Sequence, residues 1–236
     1  MINTKDSMIN SGSIGVAEVL RQYIRDKGLR QDDRLPRHEE LSRRLGIGVH
    51  RLREGLSILE QQGLIQTRRR GGTRVRQPEV EELHEPIGWH LDWMGYTFTD
   101  LVYARAAVES AIAAEAAKVR SRLDLLALGE ALERIETQPP ETAEHDRADE
   151  DFHLIVLRAT HNPVMQIFGQ LIVGQFKRKA GENLVPSPAM VRRSIQTHRA
   201  IFAAVEKKDP DGARKWMYRH ILDQLRETPN TELEKE

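Results

Sequence analysis

Cysteine is absent from the 236 residues. That excludes a disulfide framework, a thiol nucleophile and any thiolate metal site, so a bound metal would have to be held by His and carboxylates. No apolar run approaches the roughly 18 residues of a transmembrane helix, and no membrane partner is expected. The opening MINTKDSMINSGS lacks the basic and apolar regions of a secretory signal. Residues 1–13 are expected to form a disordered leader, and the protein to be cytoplasmic. Aromatic residues are sparse at 5%, while 39% apolar and 31% charged residues suit a helix-rich globular chain. The length favours two domains over one.

Net charge is +0, but it is unevenly spread. Residues 14–77 hold 15 Lys and Arg against 8 Asp and Glu, whereas the chain from Pro78 onward holds 20 against 27. The first segment is therefore expected to meet a polyanion and the second to do something else. A solvated basic face without a partner is the competing reading.

The apolar spacing and its punctuation give the order of elements. Ile14, Val19, Tyr23 and Ile24 share one helical face before Gly28. RQDDRLP reads as a polar connector, with Pro36 where a second helix can begin. That helix carries Leu41 and Leu45 and stops at Gly46. A third carries Leu52, Leu56 and Leu59 and stops at Gly63. Two short helices separated by a Gly-containing turn match helix-turn-helix spacing. LIQTRRRGGTRVRQ places β-formers on both sides of Gly71-Gly72, which predicts a hairpin wing. Residues 14–77 are thus expected to be a winged helix-turn-helix.

A connecting segment, 78–97, is expected to hold a short helix broken near Pro86 and Gly95. Six long helical patterns follow within 98–228, separated by Pro- and Asn-containing breaks, and residues 229–236 read as a polar tail. The fold class is mainly α, with an antiparallel all-α bundle of six to seven helices behind the winged unit.

In a helix-turn-helix the second helix enters the major groove with its N-terminal residues at base edges. Here those residues are His50, Arg51 and Arg53, the two arginines being able to donate bidentately to guanine. Arg68, Arg69, Arg70 and Arg74 would supply charge from the wing, and Gly72 would let backbone come close to phosphate. Arg34 and Arg37 flank the second helix as phosphate contacts. The expected partner is double-stranded operator DNA, read by a homodimer on two half-sites.

DRLPRHEELSRRLGIGVHRLREGLSILEQQGLI followed by RGGTRV resembles the GntR family of bacterial regulators over residues 14–77. The family's recognition helix usually opens Ser-Arg-Thr-Pro-Val-Arg, whereas this chain reads Gly48-Val49-His50-Arg51-Leu52-Arg53. Val49 replaces the first Arg, Arg53 retains the second, and Glu39 stands where another Arg is usual. The resemblance implies an altered base preference, with Arg51 and Arg37 as stand-ins.

A second constellation lies in the acidic half. Asp149 and His153, four apart on a helix, share one face and can hold one divalent ion. His198 precedes Asp209 by 11 residues and His220 follows it by 11, so a helical hairpin turning at Asp209 sets both at one height. An Asp with three His suits Zn, Ni, Mn or Fe and leaves coordination positions open. On spacing alone these residues compete with a reading as surface or hydrogen-bonded groups.

LVYARAAVESAIAAEAA, DEDFHLIVLRATHNPVM and THRAIFAAVEKKDPDGARKWMYRHI resemble the FCD ligand-binding domain of the FadR subfamily, across residues 80–227. The resemblance implies that Asp149, His153, His198 and His220 hold a divalent metal ion, zinc first among the candidates. It also implies that Arg105, with Glu109 and Asn162, meets a small carboxylate effector. WHLDWM is similar to the family's seven-helix form. The function expected is repression of a catabolic operon, relieved by the effector. A metal-dependent hydrolase, a regulator sensing the ion itself, and an activator stand as alternatives.

Overall fold

The six long helices of the acidic half begin where a side chain can satisfy backbone N–H groups that have no partner inside the helix. A computed structural model describes residues 12–68, 71–140, 142–183 and 187–226. Arg69 and Arg70, most of the expected leader and the tail lie outside the described residues. The chain divides into two compact units, the first up to Glu79 and the second from Val80.

The first unit runs α1 (Ser13–Asp26), α2 (His38–Leu45), α3 (Val49–Gln61), β1 (Ile65–Arg68) and β2 (Gly72–Val75). Its core gathers Val16, Leu20, Leu41, Leu45, Leu52, Leu56, Leu59 and Ile65 from all three helices and the wing. The turn between α2 and α3 is closed by Gly46 at φ +71°, a left-handed conformation that carries little strain only without a Cβ. Ser42 Oγ donates to the Ile47 carbonyl at 2.6 Å across the same turn. β1 and β2 pair antiparallel, Ile65 opposite Val75 and Arg68 opposite Gly72. This is the winged helix-turn-helix that the apolar spacing predicts.

The connector between α1 and α2 departs from the sequence expectation. It is not simply a loop, because it lies against β2 as a third, short strand-like segment. Leu35 N–H donates to the Thr73 carbonyl and Val75 N–H to the Asp33 carbonyl, both at 2.9 Å. Its run of Asp and Arg has no apolar alternation to signal pairing.

The second unit opens with a 3₁₀ turn (Val80–Leu83) and α4 (His84–Trp93). It continues through α5 (Phe98–Val119), α6 (Arg122–Thr137), α7 (Ala143–Arg158), α8 (Pro163–Asn183), α9 (Pro188–Glu206) and α10 (Pro210–Leu222). Pro86 does not break α4 as expected. It falls in the first turn, where its missing N–H removes no helical bond. Gly95, at φ +69°, follows the end of that helix.

Thr97 with Asp100 and Ser121 with Asp124 form reciprocal capping boxes that start α5 and α6. Thr142, Ser187 and Asp209 accept backbone N–H bonds at the starts of α7, α9 and α10. α5 is the central element: Phe98, Val102, Ala106, Ala113, Ala116 and Ala117 are buried around nearly its whole circumference. Its small side chains let α10 and α8 approach closely, and they place Arg105 and Glu109 in the interior. Among the described residues no helix is long and apolar enough to cross a membrane.

Candidate metal centre and DNA-facing surface

Three helices of the second unit contribute to one polar cluster. Asp149 and His153 come from α7, His198 from α9 and His220 from α10. One ligand atom from each residue lies within 4.8 Å of the others. The α9–α10 turn is capped by Asp209, and it brings the His198 and His220 rings to 4.2 Å between centroids. All three imidazoles are buried, while the Asp149 side chain keeps 32% of its exposure. The cluster therefore has one carboxylate edge open toward solvent.

The outer nitrogens define the chemistry. His198 Nδ1 meets the Ser194 carbonyl at 2.9 Å and must donate to it. Thr197 Oγ1 donates to a backbone carbonyl of its own helix turn, so at 2.9 Å it accepts from His220 Nδ1. His153 Nδ1 lies 2.5 Å from Glu109 Oε2. Burial would raise the Glu109 carboxyl, but the Arg105 guanidinium and His153 outweigh it and hold it down at about 2. Glu109 is therefore ionised, and His153 Nδ1 carries the proton. Burial also pushes His198 down to about 4 and His220 well below the ordinary histidine range, so both are neutral near pH 7.

With Nδ1 protonated on neutral rings, His198 and His220 turn Nε2 lone pairs inward, beside the inward-facing His153 Nε2. His153 Nε2 and His220 Nε2 stand 3.2 Å apart, and His198 Nε2 is 3.4 Å from Asp149 Oδ1. His198 Nε2 is a buried nitrogen with no hydrogen-bond partner among the described residues. The inward lone pairs of His198 and His220 and the Asp149 carboxylate repel one another unless a cation lies among them. The residues fit a divalent metal ion, and the outer contacts are of the kind that fix ring orientation at such sites.

Arg105 sits beside this cluster. Its Nε donates to Glu109 Oε1 at 2.5 Å, and its guanidinium carbon stacks 4.1 Å from the Phe176 ring centre. No acceptor among the described residues meets its two terminal amino groups. Glu109, expected to meet the effector, has one oxygen on Arg105 Nε and the other on His153 Nδ1. Asn162 is exposed, and its Oδ1 accepts from the N–H groups of Val164 and Met165 at the start of α8. Capping accounts for it, and no effector contact is assigned to it. No spacing in the sequence marks Ser194, Thr197 and Phe176, because only the packing of α8, α9 and α10 brings them here.

In the first unit, His50 is exposed on the first turn of α3 and Arg53 at the start of the second, with Arg51 half-buried. Arg34, Arg37 and Gly72 are also exposed. Arg74 is half-buried and donates to the Asp32 carbonyl at 2.5 Å, fastening the connector to the wing.

The FCD domain family matches residues 100–223, and the family of bacterial regulatory proteins named gntR matches residues 13–75. The chain is 27% identical to the Uxu operon regulator of Haemophilus influenzae, over 92% of this chain and 81% of that one. It is 26% identical to the Glc operon transcriptional activator of Escherichia coli (strain K12), over 93% and 89% respectively. The HTH-type transcriptional repressor NanR of Citrobacter rodentium is 26% identical, over 87% of this chain and 81% of that one. Among solved structures, a Streptococcus agalactiae GntR superposes with a TM-score of 0.72 at 22% identity, covering 91% of this chain and 99% of that one. This likeness shows a shared fold.

Proposed function

The chain belongs to the GntR family of bacterial DNA-binding transcription regulators, with the FCD domain at its C-terminal end, and from that premise we propose that it represses a catabolic operon until a small carboxylate binds at a metal ion in the FCD domain. Membership of a regulator family, rather than an enzyme family, sets aside the hydrolase reading. The observation that carries the proposal is the convergence of three imidazole Nε2 atoms and the Asp149 carboxylate.

Asp149, His153, His198 and His220 would hold the ion, and nitrogen-rich donors with one carboxylate favour zinc. The ion would supply a Lewis-acidic position for one carboxylate oxygen of the effector. Arg105 would pair with a second anionic or acceptor group through its terminal amino groups, oriented by Glu109 and Phe176. Burial keeps water from competing for that pair. Relatives named as regulators of the uxu and glc operons, and one named for an L-lactate dehydrogenase operon, support control of a catabolic operon.

On the DNA side, Arg53 and His50 would reach base edges, with Arg51 beside them, while Arg34, Arg37 and the wing at Gly72 would meet phosphates. A homodimer would present two such units to an operator. By linkage, the effector releases DNA only as far as it binds the non-binding arrangement better.

The test is operator-binding anisotropy with the zinc-loaded chain across a panel of carboxylates. One or more should weaken operator affinity, and His198→Ala should lose that response and bound zinc while keeping operator affinity. No response to any carboxylate by metal-loaded protein, or a response unchanged in His198→Ala, would sink the reading. Enhanced operator affinity on carboxylate binding would overturn release of DNA as the mode of control.

A further inference from the structure

Glu109 touches both halves of the proposed effector site with separate oxygens. Oε2 accepts from His153 Nδ1 and Oε1 accepts from Arg105 Nε, each at 2.5 Å, with all three side chains almost wholly buried. A carboxylate needed only to orient His153 would not require Arg105, and one needed only to neutralise Arg105 would not require His153. The shared placement has a consequence for charge.

The described charged side chains that are nearly free of solvent are Arg105, Glu109 and Asp223. Asp223 lines a separate pocket with Tyr103, Tyr218 and Arg219. The acidic neighbours of Asp149 are neutralised outward, Glu150 by Lys177 at 2.6 Å and Asp151 by Arg134 at 2.9 Å. Arg105 and Glu109 cancel, and an imidazole that gives a lone pair to a metal ion is neutral. Asp149 offsets one of the two charges of a divalent ion. One uncompensated positive charge is left in a low-dielectric interior, where charge imbalance is costly.

We propose that Glu109 is a positioning residue with a second role as charge setter: it fixes His153 for the metal and, by cancelling Arg105, tunes the site to a singly charged carboxylate. The proposal rests on the effector reading given above and narrows it to monoanions such as hydroxy, keto or sugar monocarboxylates. A dicarboxylate would bring one negative charge too many into the interior. The ligand's remaining polar groups would meet the Arg105 amino groups as neutral acceptors or through the second carboxylate oxygen.

The test compares the full chain with Glu109→Gln and Glu109→Asp. Calorimetric titration with Zn²⁺ reads the positioning role, and the visible spectrum of the Co²⁺-loaded proteins reads ligand geometry. Titration of the zinc-loaded proteins with glycolate and with malonate reads the charge role. Glu109→Gln is expected to lose about 10–100-fold in Zn²⁺ affinity, the usual effect of removing an outer partner. Its preference for glycolate over malonate should fall by roughly tenfold, within the ordinary range of coupling between two sites. Glu109→Asp keeps the charge but is too short to span both partners. It should lose Zn²⁺ affinity yet keep the wild-type anion preference, and it carries the test if the Gln variant fails to fold.

Unchanged Zn²⁺ affinity and an unchanged Co²⁺ spectrum in both variants would overturn the positioning role. An anion preference that stays the same in Glu109→Gln, or moves equally in Glu109→Asp, would overturn the charge role. If wild-type protein binds Zn²⁺ but neither anion, while Glu109→Gln still loses Zn²⁺ affinity, the carboxylate reading falls and the positioning role stands.

Discussion

His153 Nε2 and His220 Nε2 face each other at 3.2 Å inside the cluster, while each ring's Nδ1 is held from outside. Glu109 and Thr197 have taken the protons to the far side of each ring. Ring nitrogens turned inward beside the Asp149 carboxylate form a site that a cation can fill in the folded chain, so metal binding should act as folding energy in the second unit. At a hundredfold excess of free zinc over the dissociation constant, the gain is about 2.7 kcal/mol. For a unit of this size that corresponds to roughly 5–10 °C in Tm. Calorimetric melting with zinc and with a chelator checks it. Coincident curves would mean that the folded cluster binds no zinc.

The metal-free protein should also be sensitive to mild acid. Burial lowers His198 to about 4 and His220 well below its ordinary value of 6.5. Both groups therefore take up protons in the unfolded state before they do so in the folded state. Stability is fully present above about pH 6.5 and is lost as the pH falls toward 4. A shift of this size on one fully buried histidine is worth roughly 3 kcal/mol across that window. Urea midpoints measured with chelator at several pH values between 7 and 4.5 should fall steadily, and His198→Ala should flatten the decline. A midpoint independent of pH over that range would contradict neutral buried imidazoles.

Much of this arrangement is legible in the amino-acid sequence, and the reasons are local. Ser, Thr and Asp stand at the starts of the long helices and Pro or Gly at the breaks, so the second unit follows from capping chemistry and the first from apolar period. Asp149 and His153 are linked by helical spacing, and His198 and His220 by their symmetry about the Asp209 turn. The connector pairing with β2 is hidden, because its hydrogen bonds are made by backbone and its side chains are charged. Pro86 misleads because a proline in a first helical turn looks the same in sequence as one that ends a helix. The partners of the outer imidazole nitrogens are not legible, since Thr197 reaches His220 from another helix.

Arg53 retains the one recognition-helix arginine that the resemblance places at this position, and its side chain is exposed near the N-terminal end of α3. Arg53→Ala should weaken binding to the cognate operator by about 1–3 kcal/mol, or about 5–150-fold, while far-UV dichroism and melting stay unchanged. The loss should be larger for the cognate sequence than for unrelated DNA, because a base contact carries specificity and a phosphate contact does not. An equal loss on both DNAs would reassign Arg53 to the phosphates. Arg34→Ala, by contrast, is expected to weaken both equally and reduce the salt dependence by about one phosphate contact.

Gly55 lies on the buried face of α3, where that helix meets α1. A Cβ there would stand 2.6 Å from Val16 Cγ1 and 3.1 Å from the Ala17 backbone nitrogen. The neighbouring backbone cannot yield as a flexible side chain could, so Gly55→Ala must push α3 away from α1. Overpacking of this kind costs about 1–3 kcal/mol, against which the better helix propensity of Ala returns up to about 1 kcal/mol. The first unit should therefore melt several degrees lower, and operator affinity should fall with it because α3 carries His50 and Arg53. Ser57→Ala, exposed on the same helix, is the control and should leave both unchanged. Val16→Ala removes the Cγ1 that the new methyl meets, so it should recover operator affinity in the Gly55→Ala background. A Gly55→Ala protein that melts and binds like the parent would show that α3 does not press on α1 at this point.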